Sequence, residues 1–234
     1  MIWDPAILAG AAEHGLYLTR ENMMVDTFTG ADKPSDNELM PPLTPEVIAG
    51  FRRYTVEEMA ARVTTADERR WSAESLLCNI LPDGKAALAP VIGPGMTQDR
   101  NAAPKVTNPH GFSVEWLRIE PGSRIGPFRI DPKQIFIIQS GQLMITLDGE
   151  DGASKVEAGP WDTFAAPART WRTLTATGDE PAVMTVVTAG DARAIIEWDD
   201  EIVRRAWDAG VGLDPNDYLA PAKFLPVFSA PKAP

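Results

Sequence analysis

The pattern of apolar and polar positions changes texture near residue 110. From Phe112 onward, short apolar runs return at close spacing, with Gly, Pro and Asp between them. They are Phe112–Glu120, Gln134–Gln139, Gln142–Asp148, Thr163–Ala166, Trp171–Ala176, Ala182–Thr188 and Arg193–Trp198. Leu143, Ile145 and Leu147 alternate with Met144, Thr146 and Asp148, the period of a strand with one buried face. Ile135-Phe136-Ile137-Ile138 is apolar at both parities, which predicts a strand covered on both sides. Many short strands divided by turn residues predict a sandwich or barrel.

Upstream, the pattern is helical and irregular. Asp4-Pro5 predicts an N-cap and a proline in the first turn of a helix ending near Gly15. Residues 28–43 read as loop. Thr44-Pro45 opens another helix through Phe51. Thr55 and Glu58 form a capping box for a helix running towards Thr64. Asp67 to Leu81 predicts a further helix, with Leu76, Leu77, Ile80 and Leu81 as its apolar stripe. Pro82-Asp83-Gly84 marks a turn, and residues 89–111, rich in Pro and Gly, read as an extended, irregular arm.

Beyond Trp198, Asp199-Asp200-Glu201 and Arg204-Arg205 complement the dipole of a helix that Gly210 stops. The tail holds Tyr218, Leu219, Phe224, Leu225, Val227 and Phe228, and reads as an arm packed on its own domain or on a partner subunit. The chain thus divides into an N-terminal helical and irregular extension (1–110), a β-sandwich (111–198) and a C-terminal helix with an extended arm (199–234).

Composition narrows the partners. A formal net charge of −11 argues against nucleic acid or an anionic membrane, both of which need a basic surface. No apolar run approaches the roughly 18 residues of a membrane-spanning helix. Met1-Ile2-Trp3-Asp4 lacks the pattern of a signal peptide, and the single Cys78 cannot form an internal disulfide. These features point to the cytoplasm. Cys78 lies beside leucines and reads as a small buried hydrophobe. There is no Gly-x-Ser-x-Gly elbow, and Gly93-Pro94-Gly95 lacks the Lys-Ser/Thr of a nucleotide loop.

Residues 121–147, Pro-Gly-Ser-Arg-Ile-Gly-Pro-Phe-Arg-Ile-Asp-Pro-Lys-Gln-Ile-Phe-Ile-Ile-Gln-Ser-Gly-Gln-Leu-Met-Ile-Thr-Leu, carry a recognisable frame. Gly122 opens it, Gly141 follows Gln134 across six residues, and Asp162, Pro167 and Gly178 continue it downstream. This frame resembles the two motifs of the cupin superfamily. The resemblance implies a mainly β fold, a cupin-like double-stranded β-sandwich (RmlC-like jelly roll). In that register the family's metal-binding histidines fall on Phe128, Ile130 and Arg172, and its glutamate falls on Gln134. Phenylalanine and isoleucine offer no lone pair, and arginine stays protonated. The whole chain has two histidines, His14 and His110, too few for a three-histidine centre. The expectation is therefore a cupin without metal or other cofactor.

Two readings of the emptied site follow. In one, Phe128 and Ile130 plug the barrel and Arg172 finds a carboxylate or turns outward. In the other, Arg172 binds a small organic acid, Gln134 orients it, and Phe128, Ile130 and Trp171 form the walls. Arg129 should face away from Phe128 and Ile130 by strand alternation. No residue is assigned a catalytic role.

At the level of function, the first expectation is a non-catalytic, structural or regulatory subunit. It would be associated with a metal-dependent cupin dioxygenase for small aromatic compounds, the chain forming a homodimer or a hetero-oligomer with another cupin subunit. The alternative is a metal-independent enzyme or small-molecule sensor. A third is one half of a two-cupin ancestor whose first cupin has eroded into residues 1–110.

Overall fold

The computed structural model describes residues 4–41, 44–50, 53–108, 110–149 and 152–226. Met1-Ile2-Trp3, Phe51, Val227 and Phe228, used in the sequence reading, lie outside them. The chain forms two compact units, Met1–Thr55 and Val56–Pro234.

In the first unit, helix α1 (Pro5–Glu13) starts after Asp4, whose carboxylate accepts the Ala6 N–H at 2.7 Å. A short antiparallel hairpin follows, β1 (Leu16–Leu18) and β2 (Met24–Asp26). A single-turn helix α2 (Pro45–Ala49) lies where Thr44-Pro45 predicted it.

The second unit opens with α3 (Val56–Ala60), directly after Thr55. The helix expected over 67–81 is absent. Its place is taken by 3-10 turns at Ala66–Glu68 and Leu77–Ile80 and by a bridge from Ser72 to Leu88. The Asn79 side chain accounts for part of this departure. It accepts the Leu76 N–H at 2.9 Å and donates to the Gly84 carbonyl at 2.9 Å, competing with a helical ladder.

The sandwich consists of two five-stranded antiparallel sheets. Its strands are β3 (Ala86–Ile92), β4 (Phe112–Ile119), β5 (Arg124–Ile130), β6 (Gln134–Ser140) and β7 (Leu143–Gly149). They continue as β8 (Gly152–Ala158), β9 (Thr163–Ala166), β10 (Arg172–Ala176), β11 (Ala182–Ala189) and β12 (Ile196–Trp198). One sheet runs β12-β5-β10-β7-β8, the other β3-β4-β11-β6-β9. The fold is a mainly β jelly-roll sandwich. It reaches back to Ala86, well before the boundary expected at 110/111. Ala86, Ala87, Leu88 and Ala89 are all buried, so β3 offers no alternation to read.

Between the sheets lie Leu117, Ile119, Ile125, Phe128, Phe136, Ile138, Ile145, Leu174 and Met184, among others, each at 1% exposure or less. Each such large side chain contributes roughly 1.5–3 kcal/mol. The outer face of β6 is less covered than its apolar sequence predicted: Ile135 is 41% exposed. After the sandwich come α4 (Asp200–Asp208), capped by Asp199, and a small hairpin of β13 (Val211–Leu213) and β14 (Leu219–Pro221).

Candidate functional site

The inward faces of the two sheets meet in a row of polar side chains. On one sheet, Ser113 (β4) and Gln134 (β6) are both partners of Thr188 (β11), so the three lie side by side. Glu115 sits two residues further along β4. On the other sheet, Phe128 (β5) is flanked by Trp198 (β12) and Arg172 (β10). All seven are buried.

Strand β4 reads Phe-Ser-Val-Glu-Trp-Leu-Arg-Ile, with apolar residues at both parities: Phe112, Val114 and Trp116 at one, Leu117 and Ile119 at the other. The structure turns the second set inward. Ser113, Glu115, Leu117 and Ile119 are buried, and Phe112 is 38% exposed. Trp116 is covered from outside by Arg69, whose guanidinium carbon lies 3.8 Å from the ring centre. Glu115 is thus an interior acid that the sequence reading missed. The signal was present in the shared parity of Ser113 and Glu115 with Leu117 and Ile119.

The segment Gly95–Gln98, from the irregular arm, enters this row and is wholly buried. The Met96 N–H donates to Glu115 Oε2 at 2.9 Å. Gln134 Nε2 lies 3.4 Å from Met96 Sδ and 3.0 Å from Thr188 Oγ1. Gln98 Oε1 accepts the Leu77 N–H at 2.8 Å and the Trp198 indole N–H at 3.1 Å. Gly95 has φ +59, and a Cβ there would fall 2.0 Å from the Glu115 carboxyl carbon. Only glycine allows this close approach. Burial pushes the Glu115 carboxyl up to about 8, against the opposing pull of the Met96 and Thr97 N–H groups. At neutral pH the uncharged form predominates.

Arg172 is 1% exposed. Its guanidinium lies 5.2 Å from the Phe128 ring centre, and the Phe128 ring stacks at 46° on Trp198, 5.8 Å away. Nη1 is 3.5 Å from the Pro167 carbonyl, a long contact. Nε and Nη2 have no hydrogen-bond partner among the described residues. Desolvation lowers the Arg172 pKa to about 10, with no neighbouring carboxylate opposing it. The carboxylate expected as its partner is absent among the described residues. Ser113 Oγ, Glu115 Oε1, Gln134 Oε1 and Gln98 Nε2 are also buried without partners there.

Four of the five expected site residues, Phe128, Ile130, Gln134 and Arg172, face the interior. Trp171 does not share their face. It is half-buried and stacks against Arg129, 4.8 Å from the ring centre. Arg129 is in turn bound through two nitrogens to Glu197, at 2.7 and 2.6 Å. Trp171 follows the alternation: its neighbour Arg172 points in, so Trp171 joins Arg129 outside and forms no wall.

The two histidines, the cysteine and two further arginines, Arg124 and Arg169, lie elsewhere. His110 contacts Arg62 and the Asn108 carbonyl, outside the interior row. His14 follows α1 in the first unit. Arg124 pairs with Asp83, and Arg169 pairs with Asp131. Cys78 is buried, and desolvation pushes its thiol up to about 12.

This donor set does not suit a metal ion. The interior offers a phenyl ring, an isoleucine, one amide oxygen, a single carboxyl and a cation, with no imidazole or thiolate among them. Among the described residues there is no group of three or more His, Cys, Asp or Glu able to converge on an ion.

The family model described as Cupin domain matches residues 115–188. No curated protein matches the chain significantly. Solved structures resemble it at low identity. One, reported with the DMSP lyases RdDddP and RnDddQII, is 18% identical over 52% of this chain and 57% of that one, with a TM-score of 0.41. A cupin 2 domain-containing protein from Halorhodospira halophila is 18% identical over 54% of this chain and 79% of its own, with a TM-score of 0.39. Bacillus subtilis oxalate decarboxylase at pH 4.6 is 18% identical over 53% of this chain and 29% of its own, with a TM-score of 0.40. The chain thus spans little more than half of the first of these and under a third of the last.

Proposed function

This chain is a member of the cupin superfamily through residues 115–188, and within that family we propose that it is a non-catalytic, structural or regulatory subunit. Its partner would be a metal-dependent cupin dioxygenase acting on small aromatic compounds. The observation that carries this reading is the seating of Met96, fully buried and in contact with Gln134, among side chains that do not suit a metal.

The outer face of the second sheet supports an association role. Val114 and Ile135 flank Val187 in an apolar row, and Ile135 is 41% exposed. A homodimer or a hetero-oligomer with the metal-bearing cupin would cover this row. The test is elemental analysis and mass in solution of the chain alone, followed by co-expression with a cupin dioxygenase encoded beside it. The expected results are substoichiometric metal, a stable complex, and ring-cleaving activity only in the complex. Stoichiometric iron, zinc, nickel or manganese in the chain alone would overturn the proposal.

A further inference from the structure

The unpartnered atoms of Arg172 are not a random pair. Nε and Nη2 lie on one edge of the guanidinium, the edge whose parallel N–H bonds match the two oxygens of a carboxylate. The remaining nitrogen, Nη1, faces the Pro167 carbonyl. The side chain is 1% exposed, so water screens it little, and no described carboxylate pairs with it.

A cation held dry and unpaired is unfavourable unless something of opposite charge joins it. Two aromatic rings and a further amide lie beside it. The Phe128 ring lies between Arg172 and Trp198, and the Trp198 indole is fixed by Gln98. Gln98 carries another buried, unpartnered donor, Nε2.

We infer that Arg172 is the anchor of an internal site for a small monocarboxylate, held through its Nε–Nη2 edge against the Phe128 ring. Gln98, in the segment that seats Met96, holds the Trp198 indole that packs on Phe128. Such recognition belongs to this chain alone and needs no second cupin subunit.

The experiment is a melting-temperature titration with acetate and benzoate at constant ionic strength, with acetamide, benzamide and chloride as controls. A carboxylate at about ten times its dissociation constant should raise the midpoint by about 3–5 °C. The amides and chloride should leave it unchanged, and Arg172→Met should abolish the shift. Equal shifts with the amides or with chloride, a shift retained in Arg172→Met, or none in the wild type, would overturn the inference. If Arg172→Met does not fold, the Arg172 Nε–H resonance of the wild-type protein gives the answer. It should move on adding acetate and stay in place on adding acetamide; no movement with acetate sinks the site.

Discussion

Glu115 is where a single residue governs the most. Its carboxyl titrates near 8 in the folded protein and near 4.5 when free of the fold. Below about 4.5 both states hold the proton, and the stability it supports is complete. Between about 4.5 and about 8 the unfolded chain releases the proton while the folded one keeps it. Stability therefore falls as pH rises through that window, by about 1 kcal/mol per pH unit, and levels off above it. Urea midpoints measured from pH 5 to pH 9 should show this decline, and Glu115→Gln should flatten it. A variant whose profile still falls like the wild type would exonerate Glu115. The amide can still accept the Met96 N–H, so the substitution removes the titration and keeps the contact.

At the scale of elements, the segment Gly95–Gln98 explains both what the sequence revealed and what it hid. Strands β6, β7, β10 and β11 were legible because apolar residues recur in short runs bounded by turn residues. Strand β8, Gly-Ala-Ser-Lys-Val-Glu-Ala, was not, since only Val156 among its longer side chains is apolar. Strand β5 was hidden by its Gly126-Pro127 interruption. The positions of Phe128, Ile130, Gln134 and Arg172 were legible through the motif frame.

Their filling was not, because the filler comes from an arm without periodicity, long before the motif in sequence. Its seating depends on Gly95. Gly95→Ala should cost about 2–4 kcal/mol, from a side chain forced to positive φ and against the Glu115 carboxyl. Combined with Glu115→Ala, the loss should be smaller than the sum of the two single losses, because the clash is shared. Strict additivity in denaturant unfolding would show that the two residues do not meet.

Over the whole molecule, the core cluster of the second unit begins at Leu76 and ends at Ala206, so the sandwich is built from both sides of its motif region. The division expected at 110 missed this because Ala-rich β3 carries no strand signature. The C-terminal arm also does more than trail behind. The Leu219 N–H donates to the Gln98 carbonyl at 2.9 Å, and Arg100 pairs with Asp214. Tyr218 lies against both Arg100 and Arg193.

The hairpin at the end of the chain is therefore a latch on the segment that fills the barrel. Withdrawing Met96 from its seat would require the latch to be lifted first. In hydrogen exchange, the amides of Met96 and Leu219 should open as one unit, with opening free energies agreeing within about 0.5 kcal/mol. If Leu219 exchanges freely while Met96 stays protected, the barrel is sealed without help from its tail.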